Sequence, residues 1–135
     1  MTAWELTRHA TPLGLAQLDA HASTPPWACP PGLDAPLTSV TRTADELCVI
    51  CAYEALPGSV TAVGPFTAFS IDGPLEHSLI GVLAGLLEPL AAAGISILAE
   101  STFDTDWILV PTSQADQAAA AWTASGHLVE EAGEE

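Results

Sequence analysis

The chain has 135 residues, 49% of them apolar, and carries 17 acidic residues against two fixed cations, Arg8 and Arg42, for a formal net charge of −15. That length suits one compact domain or two small units sharing a core. The charge repels phosphate backbones and anionic lipid surfaces, which argues against nucleic acid and membrane as partners.

In chain order, the pattern from Trp4 to Ala22 is mixed: WELTRH fits a short strand, and Leu13, Leu15 and Leu18 fit a second one loosely. Residues 23–37 hold five prolines and a glycine, so regular structure fails there and the segment reads as a surface connection anchored by Trp27. LTSVTRT and ELCVICA are β-branched runs on either side of Ala44-Asp45, the pattern of a hairpin. YEALPG then suits one helical turn stopped by Pro57-Gly58. Val60 to Pro65 reads as a further connection, and FTAFSID as a strand apolar on both faces.

Residues 79–92 are almost wholly apolar, so a helix there should be covered on most sides, by a sheet and by a partner. Pro74 and Ser78 mark its start, and Gly94 its end. Pro89 lies inside it, with Gly85 four residues back to relieve the ring's clash. ISILAES and Asp106 to Val110 form a second hairpin. Ser113 is placed to cap a helix over QADQAAAAWTAS whose apolar stripe is Ala118, Ala121 and Trp122, and Gly126 closes it. HLVEE returns as an edge strand.

Cys29, Cys48 and Cys51 are odd in number, and positions 48 and 51 face opposite sides of a strand, so the expectation is reduced thiols and no zinc or redox centre. The start MTAWELTRHA lacks a charged segment followed by an apolar core, and the run from Leu79 is broken by Glu88-Pro89 and Gly94. A soluble, cytoplasmic protein is expected.

Thr43 to Cys51 can be laid on Thr102 to Val110 with threonine on threonine and aspartate on aspartate in the turn, and apolar on apolar in the last four positions. The order from FTAFSID onward is β, α, β, β, α, β, a two-layer ferredoxin-like unit with helices on one face of an antiparallel sheet. The expected fold is therefore α+β, two tandem ferredoxin-like units, residues 1–64 as a degenerate copy and residues 65–135 as the complete one.

At this point GPLEHSLIGVLAGLLEPLAAAGISILAESTFDTDWILV resembles the ACT-domain signature of small bacterial tandem-ACT proteins, which are similar to the CASTOR arginine sensors. The resemblance implies an ACT-like fold and a regulatory module that binds a small molecule, an amino acid, at an interface between ACT units. It implies no catalysis and no cofactor. Carried over by position, the ligand loop falls on Glu76, His77, Ser78 and Leu79, and the facing turn on Thr102, Phe103 and Asp106. Because the sensors hold two tandem pairs in one chain, the matching interface here implies a homodimer.

Chemistry at these positions is compatible with that implication. N–H groups freed at a helix start can hold a carboxylate, while Glu76, Asp104 and Asp106 offer acceptors to an amine or guanidinium. Asp104 can equally serve only to bend the turn, with Asp106 starting a strand. Ser78 beside His77 makes no catalytic triad, there is no phosphate-binding glycine loop, and no spacing requires a metal. The alternative to a ligand sensor is an oligomerisation or interaction domain whose pocket is vestigial.

Overall fold

A computed structural model describes residues 3–30, 35–73 and 80–133. The chain divides into two compact units, Met1–Ala10 with Thr67–Glu135, and Thr11–Phe66. The strand β5 (Thr61–Ile71) contributes its first half to one unit and its second half to the other.

In the larger unit the sheet order is β8 (Leu128–Glu131), β1 (Glu5–Arg8), β5, β7 (Asp106–Pro111), β6 (Leu98–Ser101). β1 runs antiparallel to β5, with Leu6 opposite Ile71, and parallel to β8, with Leu6 opposite Val129. Without β1 the order is that of a ferredoxin-like βαββαβ sheet, so Glu5–Arg8 is an extra strand inserted between the first and last strands of that motif. Sequence reading grouped these residues with 1–64. Their pairing is with strands more than sixty positions away, and a four-residue strand carries no local sign of so distant a partner.

One face of this sheet carries Leu6, Phe69, Ile71, Ile108 and Val110, all buried against two helices. α1 (Val82–Ala92) buries Val82, Leu86 and Leu90, spaced four apart and so on one stripe, and α2 (Ala115–Ala124) buries Ala115, Ala118 and Trp122. Trp122 joins both helices and the sheet. Its ring meets Phe69 edge to face at 4.9 Å, and its Nε1–H donates to the carbonyl of Leu86 in α1 at 2.7 Å. Burying the indole is therefore free of the desolvation cost of an unpaired N–H.

α1 departs from expectation at its start. It begins at Val82 rather than 79, after Gly81 in the left-handed region at φ 80°, and the expected cap Ser78 lies outside the described residues. Within the chain Ala84, Gly85, Glu88, Ala91 and Ala92 are exposed, the side that the sequence reading leaves to a partner. Alanine and glycine have so little side chain that the Val82, Leu86 and Leu90 stripe supplies most of the burial. Glycine's freedom is required at Gly81 and costs stability at Gly85, which is helical, and an added Cβ would touch nothing within 4 Å at either place. Gly81→Ala is accordingly expected to destabilise by about 1 kcal/mol or more and Gly85→Ala to stabilise by about 0.5–1 kcal/mol, opposite signs for one methyl group, read by chemical denaturation.

The C-terminal ends follow the sequence. Gly94, at φ 76°, lets Ile95 N–H reach back to the Leu90 carbonyl at 2.9 Å. Gly126, at φ 94°, does the same for His127 N–H and the Trp122 carbonyl at 3.0 Å. α2 starts differently from expectation: a 3-10 turn over Thr112–Gln114 leads into it, and no side chain, Ser113 included, makes a capping bond. The turn's own backbone bonds take up donors that a serine would otherwise serve.

In the unit Thr11–Phe66 the order is β3 (Ser39–Arg42), β4 (Leu47–Ala52), β2 (Leu13–Leu18) and the first half of β5, every neighbour antiparallel. This is again the ferredoxin-like order, and among the described residues neither helix of that motif is present. A loop with a 3-10 turn at Pro26–Ala28 stands in the place of the first, and a 3-10 turn at Tyr53–Ala55 in the place of the second. Trp27 and Ala28 then cover Ala16, Val49 and Cys51 as a helix would. Residues 61–65, expected as a connection, are strand. Leu13 faces Phe66 and Leu15 faces Val63, so Gly64 and Pro65, joined by a cis peptide bond, sit in a bulge opposite Gly14, where a strand tolerates proline.

The internal repeat is visible in the hairpins. Ser39 faces Ile50 where Leu98 faces Leu109, and Arg42 faces Leu47 where Ser101 faces Asp106. Both turns close alike, Thr43 N–H on the Glu46 carbonyl and Thr102 N–H on the Thr105 carbonyl, each at 2.9 Å. A 3-10 turn follows each second strand, at Tyr53 and at Thr112.

Candidate functional site

The 102–105 turn is tied down from two sides. Thr102 Oγ1 donates to the Thr105 carbonyl at 3.1 Å, closing the turn itself, and Thr105 Oγ1 donates to the Ile71 carbonyl at 2.6 Å, at the last residue of β5. The second bond holds the turn beside the point where the chain leaves β5 for the segment 72–81. Sequence reading missed Thr105; a threonine one residue before a strand carries no signal of that role.

Asp106 opens β7 half-buried, and its Oδ1 accepts from the Ser101 hydroxyl at 2.6 Å across the hairpin, leaving lone pairs of the carboxylate for a further donor. Ser101 is a second residue that sequence reading passed over. Phe103 and Asp104 project at the turn's tip, Phe103 81% exposed. Of the eight predicted positions the structure thus brings Thr102, Phe103, Asp104 and Asp106 together on one turn. Glu76, His77, Ser78 and Leu79 lie outside the described residues. On the near side of that segment Ile80 is 96% exposed.

A second polar cluster lies on β1, β5 and β7. His9 Nε2 is 2.8 Å from Ser70 Oγ, its ring stacks on Trp107 at 5.1 Å, and Thr7 Oγ1 donates to Asp72 at 2.7 Å. Burial lowers the His9 pKa below its usual value, partly offset by the nearby Asp72 carboxylate. Trp107 Nε1 is buried with no acceptor. His127 is structural, its Nδ1 accepting from the Trp4 N–H at 3.0 Å.

Among the described residues no group of three His, Cys, Asp or Glu side chains is arranged to hold a metal, and no helix is long and apolar enough to cross a membrane. Cys51 is buried, which raises its thiol pKa, whereas Cys29 is exposed on the proline-rich connection. Two open clefts, of about 270 and 170 Å³, lie in the unit Thr11–Phe66, around Tyr53 and Val60 and around Leu15 and Cys48. Neither contains a predicted site residue.

The chain resembles several solved structures. A protein of Agobacterium tumefaciens is 28% identical, with 100% of this chain and 98% of that one covered at a TM-score of 0.89. A Vibrio cholerae protein, described as of unknown function and a possible transport protein, is 19% identical over 90% of this chain and 89% of that one, at 0.73. The regulatory subunit of aspartate kinase from Thermus flavus is 15% identical over 92% and 97%, at 0.58, a likeness of fold. No curated protein matches the sequence. Residues 12–59 match a family model described as an N-terminal domain. Residues 62–122 match the model of the ACT domain, over the strands, the two helices and the hairpin of the larger unit.

Proposed function

We propose that this is a regulatory protein that binds an amino acid between the 73–79 loop and the 102–106 turn, without catalysis of its own. The observation that carries the reading is the Thr105 bond to Ile71. It fixes a turn bearing Asp104 and the half-buried Asp106 beside the segment that leads into α1, within the detected ACT domain. The first-turn N–H groups of α1, beginning at Val82, have no helical acceptors and suit a carboxylate, while Asp106 and Asp104 suit an amine or guanidinium. That division of charge is the division within an amino acid. Glu76, His77, Ser78 and Leu79 complete the proposed site from the loop side.

Ile80 and Phe103, both exposed, and the open small-residue face of α1 favour a homodimer that covers them. The same exposure supports a second reading, an interaction module whose pocket holds nothing. A thermal melt against each of the twenty amino acids separates the two, since a ligand at a hundred times its dissociation constant adds about 2.7 kcal/mol. Selective stabilisation by one or a few amino acids is expected, with light scattering at twice the monomer mass. A dimer that no amino acid stabilises establishes the interaction module instead.

A further inference from the structure

The two hairpins pair in the same register, and they differ at the pair that borders the turn. Where the second repeat has Ser101 facing Asp106, the first has Arg42 facing Leu47. The exposed Arg42 guanidinium is held at the surface by two backbone carbonyls. Its Nη1 donates to the Ala20 carbonyl, and its Nη2 donates to the Ala22 carbonyl at 2.7 Å. Ala20 and Ala22 follow β2, which holds in the first repeat the place that β5 holds in the second. One arginine therefore bridges, inside the first repeat, the hairpin and the loop between which the second repeat is read as holding its ligand.

We propose that Arg42 is the built-in occupant of the first repeat's equivalent of the ligand site, a planar cation held by two carbonyl oxygens, so that this one position is filled by the chain itself. The cradle does not depend on the arginine for its shape. Asp19 Oδ2 accepts from His21 N–H at 3.0 Å and the Asp19 carbonyl accepts from Ala22 N–H at 3.0 Å, so the loop is turned by its own bonds. Leu47 beneath is fully buried and offers no charge, which leaves the carbonyls as the acceptors for the guanidinium fork. In the second repeat the long cation is replaced by the short Ser101 and the buried leucine by the Asp106 carboxylate. That exchange removes the plug and adds an acceptor.

The inference rests on the reading of the second repeat as a ligand site, but its test does not require any amino acid to bind. In Arg42→Ala the two carbonyls are left aimed at a gap the size of a guanidinium. The melting temperature should fall by about 3–5 °C, and guanidinium ion in the tens of millimolar, far below its denaturing range, should restore at least half of the loss. Sodium chloride at the same concentration should restore none, and the native protein should gain nothing from either salt. Arg42→Lys, which retains the charge but can serve only one carbonyl well, should melt between the two and carries the same salt comparison should Arg42→Ala not fold. An unchanged melting temperature in Arg42→Ala, or a loss that guanidinium repairs no better than sodium, overturns the proposal. Failure of the amino-acid melting scan alongside a successful guanidinium rescue would leave the plug standing and remove the ligand.

Discussion

Trp122→Ala is expected to destabilise the protein by about 3–5 kcal/mol, the range for truncating a buried aromatic ring, and so to remove a large part of what holds an ordinary small domain folded. The indole is fully buried, fills the space between both helices and the sheet, and carries the 2.7 Å bond to the Leu86 carbonyl. Its loss leaves a cavity between α2, Phe69 and α1 that the chain can close only by shifting a helix. Trp122→Phe isolates the polar part: most of the apolar contact remains and the bond goes, for a cost of about 1–3 kcal/mol. Urea denaturation of the three proteins measures both. If Trp122→Phe were as damaging as Trp122→Ala, the bond to α1 rather than packing would dominate at this position.

Asp106→Asn should weaken binding of the amino acid by roughly 1.5–3 kcal/mol, tenfold or more, with little change in melting temperature. The substitution retains size and can still accept from Ser101, so the hairpin is expected to survive, while the charge that would hold a cationic group is lost. A half-exposed carboxylate at the start of a strand contributes little to stability on its own. Calorimetric titration beside a thermal melt separates binding from folding. Reduced stability with unchanged affinity would make Asp106 a turn residue and remove it from the site.

The parts of this fold that were legible in the sequence are those set by local pattern. Both hairpins follow from β-branched runs flanking a Thr-x-Asp turn, and both helix ends from glycines where a left-handed residue is needed, Gly94 and Gly126. The repeat was legible because Thr43 and Thr102 close their turns in the same way. What was hidden depends on distant partners. Glu5–Arg8 reads the same whether it pairs with β2 or, as it does, with β5 and β8. Gly64-Pro65 reads as a break unless the bulge opposite Gly14 is known.

The same division holds at the site. Asp104 and Asp106 could be named from the sequence because a carboxylate announces its chemistry wherever it stands. Thr105 and Ser101 could not, because their importance lies in what they touch, the Ile71 carbonyl and the Asp106 carboxylate. Apolar composition overstates what α1 buries within one chain, because Ala84, Gly85, Ala91 and Ala92 are apolar with little side chain to bury.

The central claim is the place of the ligand, and the most direct measurement is a crystal structure of the protein with the amino acid that raises its melting temperature most. Density is expected between the 73–79 loop and the 102–106 turn, with the ligand's cationic group within hydrogen-bonding distance of the Asp106 carboxylate and its carboxylate toward the start of α1. A ligand bound only elsewhere, for example in the clefts lined by Leu15 and Cys48 or by Tyr53 and Val60, would contradict the account.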